Sequence, residues 1–448
     1  MNRDLTTGKP SKVLFKFCLP LFGSIVFQQL YNLADSLVAG KFIGENALVA
    51  VGNGYEIILI FLSFAIGCNV GCSVIVAKLF GAKKFNELKT AVTTTYIASA
   101  ALCLIIVVFG LVFCKEMLSL INTPKSVFDD SATYMKIYVA SLPFVFLYNV
   151  STGIFSALGD SRTPFYFLAA SSLSNIGVDI LFVSVFKMGV AGVAWATFLC
   201  QGISGILVVL AVMARLKKIG DGKRFPVFSL SLLKSLAIIA VPSILQQSFI
   251  SIGNIIIQGV VNTFDESVIA GFLGAMKLNG FAVSSLVTFS NGISNYTAQN
   301  VGAEKTERIK QGARSGALML LSVGLPFALV YIFLGKYCVL LFLNDINGVS
   351  VATAERFMHI VAPFYAVVCF KLVADGVLRG TSKMVPFMIS TFTDLVIRVV
   401  SAVLLHDRFG ADGVWIGWPI GWVISTVLSV GMYFIVMKKL LGKSKRNL

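Results

Sequence analysis

Apolar residues run in blocks of twenty or more along almost the whole chain, separated by short polar stretches. Each block is long enough to cross a hydrocarbon core ~30 Å thick as a helix, the fold in which one segment satisfies its own backbone away from water. Twelve spans are predicted, the first over residues 14–40 and the last over 412–438. Within several spans, polar residues recur every three or four positions, the spacing of one helix face. Span 1 has Gln28, Asn32, Asp35 and Ser36; span 5 has Ser171, Asn175 and Asp179; span 6 has Thr197, Gln201 and Ser204. Span 7 has Gln247, Ser251, Asn254 and Gln258, and span 8 has Ser284, Thr288, Asn291, Asn295 and Gln299. A polar side chain at membrane depth needs a partner or water, so these rows mark inward faces. The lone Ser and Thr residues read as interhelical glue. Gln28, Asn32, Gln201, Gln247, Asn254, Lys277 and Asn291 are candidates for the wall of a substrate cavity.

Of the 448 residues, 57% are hydrophobic and 13% charged, and the mean hydropathy is +0.86, which excludes a disordered chain and an ordinary soluble enzyme. The formal net charge of +16 would suggest nucleic acid in a soluble protein, but here it is spread over short loops. Alternate loops sum to +20 on one side and −2 on the other, which by the positive-inside rule puts both termini in the cytoplasm. No cleavage site follows the first apolar run, so no removable signal peptide is expected. The eight cysteines lie mostly inside apolar runs, with only two histidines in the chain, so neither a metal site nor a disulfide framework is expected. No phosphate-binding glycine loop is present. The expectation is a protein without enzymatic activity or cofactor, bound to lipid and not to nucleic acid, acting as a monomer.

The chain also repeats itself at a spacing near 221 residues. Ala77-Lys-Leu-Phe-Gly-Ala-Lys-Lys-Phe-Asn-Glu-Leu-Lys89 aligns without a gap on Ala298-Gln-Asn-Val-Gly-Ala-Glu-Lys-Thr-Glu-Arg-Ile-Lys310. Gly189-Val-Ala-Gly-Val-Ala-Trp195 aligns on Gly410-Ala-Asp-Gly-Val-Trp-Ile416; Gln28-Gln29 answers Gln246-Gln247, and Thr163-Pro164-Phe165 answers Val385-Pro386-Phe387. Six crossings return the chain to its starting side, so the halves share one orientation. The expected fold is an all-α membrane protein of twelve transmembrane helices in two pseudo-symmetric six-helix lobes. Residues 1–213 and 233–448 form the lobes, joined by a basic cytoplasmic linker at 214–232. Such a duplication points to a transporter working by alternating access.

Asp35 and Asp179 have no basic neighbour at helical spacing, and burying an unpaired charge costs several kcal/mol. At ~1.5 Å per residue, Asp179 lies about 9–11 Å below the outer surface, Thr197 at a similar depth and Asp35 nearer that surface. Two carboxylates in a poorly solvated pocket resist double ionisation, which makes a proton switch. With the oxygens of Asn175 and Thr197 they also form a cage suited to a hard cation such as sodium. Lys371 with Asp375, and Asp394 with Arg398, sit one turn apart and read as internally neutralised. Lys277 has no local partner and is expected to snorkel or to reach an acidic residue across the lobe. Pro20, near the inner end of span 1, is a candidate hinge, with an ordinary first-turn proline as the other reading.

In this order and twice over, these features resemble the multidrug and toxic compound extrusion (MATE) family. The carriers are Leu19-Pro20, Gln28-Gln29 to Asp35 with Gly40 and Gly44, the paired Gly-Ala segments after spans 2 and 8, and Gly153 to Pro164. Asp35, Asn175, Asp179 and Thr197 look like the first-lobe cation site of the DinF-like branch, where a bend in span 1 accompanies ion binding. The NorM-like branch instead has a span 7 glutamate and an aspartate twelve residues before the end of the Gly-x-Leu-Arg-Gly stretch. Here Pro242 to Ile250 contains no glutamate and Val368 holds the second position, which argues against a second-lobe ion site. The resemblance implies export of cationic, amphipathic compounds in exchange for protons or sodium, and the simple layout of the chain suits a bacterial inner membrane. The alternatives are a lipid-linked saccharide flippase of the same superfamily, for which intramembrane cations are few, and a channel or receptor without transport.

Overall fold

The structure, a computed structural model, describes residues 4–38, 43, 45–219, 225–343 and 348–446, apart from the side chains at 32–38, 45, 46, 48, 53, 56 and 443–446. Among the described residues, twelve helical spans are long and apolar enough to cross a membrane. Spans 1 to 4 are Pro10–Val38, Tyr55–Gly81, Phe85–Val112 and Phe128–Ala157. Span 5 is Arg162–Ile180 continued by a π-helical turn at Leu181–Val185, and span 6 is Gly189–Lys217. Spans 7, 8 and 9 are Leu230–Val261, Glu266–Gly302 and Thr306–Val339. Span 10 is Val349–Val361 and Tyr365–Gly380, joined by a 3-10 turn at Ala362–Phe364 where Pro363 lacks a backbone donor. Spans 11 and 12 are Met384–Phe409 and Ala411–Arg446.

Several helices outrun the apolar blocks that reveal them, because a helix continues into water as long as its caps allow. Span 1 begins at Pro10, whose missing N–H costs nothing in a first turn. Pro20 therefore lies inside the helix, which excludes its reading as a first-turn residue. Short helices at Glu45–Asn53 and Cys114–Leu120 flank spans 2 and 3.

The duplication extends to single hydrogen bonds. After span 2, Ala82, Lys83 and Lys84 donate backbone N–H to the carbonyls of Lys78, Phe80 and Leu79; after span 8, Ala303, Glu304 and Lys305 donate to Gln299, Val301 and Asn300. Every partner is shifted by the repeat distance. Lys83 and Glu304 both take left-handed φ values, 58° and 59°, as do Gly189 and Gly410 before spans 6 and 12, at 59° and 58°. In the first repeat the Asn69 amide donates to Asn149 O at 2.7 Å, and in the second the Ser290 hydroxyl donates to Leu372 O at 2.6 Å. Beside each bond a glycine permits close helix approach. A Cβ at Gly153 would stand 2.8 Å from Asn69 O, and one at Gly376 2.8 Å from Ser290 O.

Gly376→Ala is accordingly expected to lower the thermal unfolding midpoint in detergent. Overpacking costs about 1–3 kcal/mol and outweighs the ~1 kcal/mol that alanine gains in a helix. Gly431→Ala, where a Cβ meets nothing within 4 Å, is expected to leave the midpoint unchanged or raise it. Equal midpoints for the two variants would contradict the packing account.

Two compact units are present, one of residues 1–4 and 19–248, the other of residues 5–18 and 249–448. In the first, span 4 packs against spans 2, 3 and 6, and span 6 against span 5. In the second, span 10 packs against spans 8, 9 and 12, and span 12 against span 11. The units are thus not cut at the 214–232 linker. The first half of span 7 packs on span 2, where a Cβ at Gly67 would stand 2.2 Å from Ile244 and one at Gly71 2.9 Å from Ala240. The start of span 1 packs on span 8, where a Cβ at Gly292 would stand 2.4 Å from Cys18 Sγ.

Candidate functional site

Spans 5 and 6 run antiparallel in the first unit, and Ser171 Oγ donates to Cys200 O at 3.4 Å across them. That bond fixes which residues stand level. One turn from Ser171 along span 5 brings Asn175, and three residues back from Cys200 along span 6 bring Thr197, so the two come to one height, with Asp179 a further turn on. All three face the helix pair and are buried: Asp179 is 0% exposed, Asn175 2% and Thr197 3%. Tyr31 of span 1 reaches the same place, its hydroxyl 3.2 Å from Thr197 Oγ1. Asp35 and Asn32 lie outside the described side chains.

Just beyond Asp179 the helix widens into the π turn, with Phe186 N–H bonded to Leu181 O at 3.1 Å. The π turn thus closes span 5 just after Asp179. Val183 from the end of span 5 and Val190, Val193 and Ala194 from the start of span 6 form an apolar cluster with Ala47, Ala50, Ile58, Val127 and Tyr134 at that end of the pair. Tyr31 and Thr197 pair their hydroxyls there, and Asn175 and Asp179 are buried on the adjoining turns of span 5, side chains whose oxygens are of the kind that hold a proton or a hard cation.

The candidate cavity residues are of a different kind. Gln28 and Lys277 are exposed, and Gln201, Gln247, Asn254 and Asn291 are half-buried. The Lys277 ammonium lies over the Phe342 ring at 5.0 Å, beyond the end of span 9, which is a snorkelled posture.

In the second unit the two pairs whose spacing suggests mutual neutralisation are formed. Lys371 Nζ donates to Asp375 Oδ2 at 2.9 Å, and Ser429 Oγ donates to Asp375 Oδ1 at 2.5 Å. Ser390 Oγ lies 2.5 Å from Ser429 Oγ, so spans 10, 11 and 12 share one buried network. Arg398 pairs with Asp394 at 3.2 Å and lies over the Trp418 ring at 5.3 Å. Arg379 is buried in the last turn of span 10. It donates to Ser290 Oγ at 2.9 Å and covers the Phe387 ring.

Two members of these sites are missed by the sequence reading. Tyr31 carries a usable signal, since it precedes Asp35 by one helical turn on the polar row of span 1. Arg379 carries none, because its partners come from spans 8 and 11.

The MatE family model matches residues 20–181 and again residues 242–404, one copy for each repeat. The chain is 29% identical to the probable multidrug resistance protein YoeA of Bacillus subtilis (strain 168), covering 98% of this chain and 97% of that protein. It is 27% identical to the probable multidrug resistance protein YpnP of the same organism, over 94% of each. Among solved structures, an outward-facing multidrug resistance MATE family transporter of the MOP superfamily superposes with a TM-score of 0.91 at 20% identity, over 98% of this chain and 99% of that one. With both repeats matched and the twelve-span fold shared, the chain belongs to the MatE family of multidrug and toxic compound extrusion transporters.

Proposed function

We propose that this transporter exports amphipathic, cationic small molecules in exchange for protons or sodium, by alternating access of its two repeats, with both termini in the cytoplasm. The observation that carries the reading is Asp179, 0% exposed within a membrane-spanning helix beside Asn175 and Thr197. A carboxylate withdrawn from water is costly in a span and is of use where it takes up and gives back a cation. The names of the relatives support small-molecule export. The match of Asp35, Asn175, Asp179 and Thr197 to the DinF-like pattern supports coupling in the first repeat. One charge crossing 100 mV is worth ~2.3 kcal/mol, roughly a 40-fold concentration ratio, so one coupled ion sustains useful efflux.

Purified protein in liposomes, loaded with a fluorescent cationic dye and given a proton or a sodium gradient, tests the reading. Dye movement driven by one gradient and lost in Asp35→Asn is the expected result. No dye movement under either gradient, from protein shown to be folded, overturns it.

A further inference from the structure

The residues that precede span 1 are docked in the second unit. Leu5 N–H donates to Gln299 Oε1 at 2.9 Å, and Asn300 Nδ2 donates to Leu5 O at 3.3 Å. The Arg308 guanidinium donates to the carbonyls of Leu5, Thr7 and Gly8 at 3.3, 3.2 and 2.8 Å, and to Asn300 Oδ1 at 3.1 Å. Lys305 Nζ donates to Thr6 O at 3.0 Å. Leu5, Leu14, Phe17 and Cys18 are fully buried. The residues that precede span 7 are docked correspondingly in the first unit. There Thr93 Oγ1 donates to Val227 O at 2.5 Å and Ser229 N–H donates to Thr94 Oγ1 at 3.1 Å.

Spans 1 and 7 are continuous helices that each belong in part to both units, changing membership at Cys18/Leu19 and at Ser248/Phe249. These two helices are thus the continuous helical links between the units. Span 7 commits residues 230–248, about 28 Å of helix, to the first unit, seated against Gly67 and Gly71. Span 1 commits only residues 10–18, about 14 Å, to the second unit. Two residues past its crossing, Pro20 removes the bond that a backbone N–H would make to the carbonyl of residue 16. The start of span 1 is therefore the weaker anchorage, and polar bonds to four side chains hold it.

We propose that Gln299, Asn300, Lys305 and Arg308 form a releasable latch on residues 5–8, and that release frees the first turns of span 1 from the second unit during the transport cycle. Docking itself is independent of the efflux reading, whereas the release step rests on it. Backbone carbonyls suit such a device, since an arginine fork can let them go to water and recapture them without a buried charge being stranded.

The test reads the accessibility of Leu5→Cys to a membrane-impermeant maleimide in vesicles that expose the latch side. The eight native cysteines are buried apart from half-buried Cys338, near the opposite end of span 9, so they stay silent. In the resting protein, labelling is expected to be slow and to speed up by tenfold or more in Arg308→Gln, since about tenfold is the factor that loss of even one of its three charge-assisted bonds to residues 5–8 produces. Arg308→Lys, which keeps the charge and loses the fork, is expected to fall between them. Equal labelling in the wild type and both variants overturns the latch. During measured dye transport, labelling of the otherwise wild-type protein is expected to rise, and transport with labelling unchanged overturns the release. Absence of dye transport overturns the efflux reading instead, and the resting comparison alone then decides whether the latch exists. Thr6→Cys, also buried, serves if Leu5→Cys fails to fold.

Discussion

Lys371→Met is expected to lower the stability of the second unit by about 3–5 kcal/mol, the cost of breaking a buried ion pair and leaving one charge behind. Lys371 and Asp375 are 6% and 2% exposed, and the ammonium's hydrogen bond to the carboxylate is 2.9 Å long. With the ammonium gone, the Ser429 hydroxyl is the one hydrogen-bond donor left to Asp375 among the described residues, too little for a carboxylate at membrane depth. Asp375→Leu strands the ammonium and is expected to cost a similar amount. The double variant Lys371→Met/Asp375→Leu removes both charges at nearly constant volume and is expected to recover most of the loss, since buried pairs are often matched by well-packed apolar residues. Ser429 keeps Ser390 as a hydrogen-bond partner in that variant. Thermal midpoints of the three variants in detergent give the coupling directly. A double variant as unstable as the singles would mean that the network is held by more than charge neutralisation. A stable double variant that no longer transports would give this pair a working role, in the repeat where the NorM-like glutamate is missing.

The legibility of this chain divides by the range of the interactions. The twelve spans and the duplication are readable because each rests on local physics: an apolar block long enough to cross, and a backbone turn that recurs at Lys83 and Glu304 with one conformation. The pairs Lys371–Asp375 and Asp394–Arg398 are readable for the same reason, both partners lying on one helix a turn apart. Residues 5–8 precede the first apolar block, yet Leu5 and Thr6 are buried, because the side chains that cover them lie some three hundred positions along the chain. Arg379 gives no local sign of its burial for the same cause, its partners Ser290 and Phe387 belonging to other spans. The division of spans 1 and 7 between units depends on small residues meeting across helices, Gly71 with Ala240 and Gly292 with Cys18, and one sequence shows such residues without their partners. At the candidate coupling site, Asn175, Asp179 and Thr197 stand out by polarity at depth, while the π turn beside them has no hydropathic signature.

On transport itself, the largest effect is expected from Asp179→Asn. Asparagine keeps the shape of the carboxyl group and some of its hydrogen bonds, but it neither releases a proton nor offers a full negative charge to a cation. If ion binding at Asp35 and Asp179 favours a first-repeat shape that binds substrate poorly, ion and drug compete through one equilibrium, and each shifts the affinity of the other by the same factor. Asp179→Asn mimics the ion-bound state permanently. Gradient-driven dye efflux is then expected to fall by a factor on the order of 100 or more, and dye binding to become weak and indifferent to both pH and sodium, since a shift of ~2.7 kcal/mol suffices for that factor. Thr197→Val and Tyr31→Phe each remove one hydroxyl from a pair 3.2 Å apart, a loss of about 1 kcal/mol, and are expected to slow efflux by roughly fivefold while binding stays sensitive to the ion. Dye binding by fluorescence polarisation, at two pH values and with or without sodium, separates these cases. Wild-type binding that weakens on acidification alone identifies the proton as the coupling ion, and weakening on sodium addition alone identifies sodium. Gradient-driven efflux retained by Asp179→Asn would remove the first repeat from the coupling mechanism and turn attention to Asp375 and Asp394.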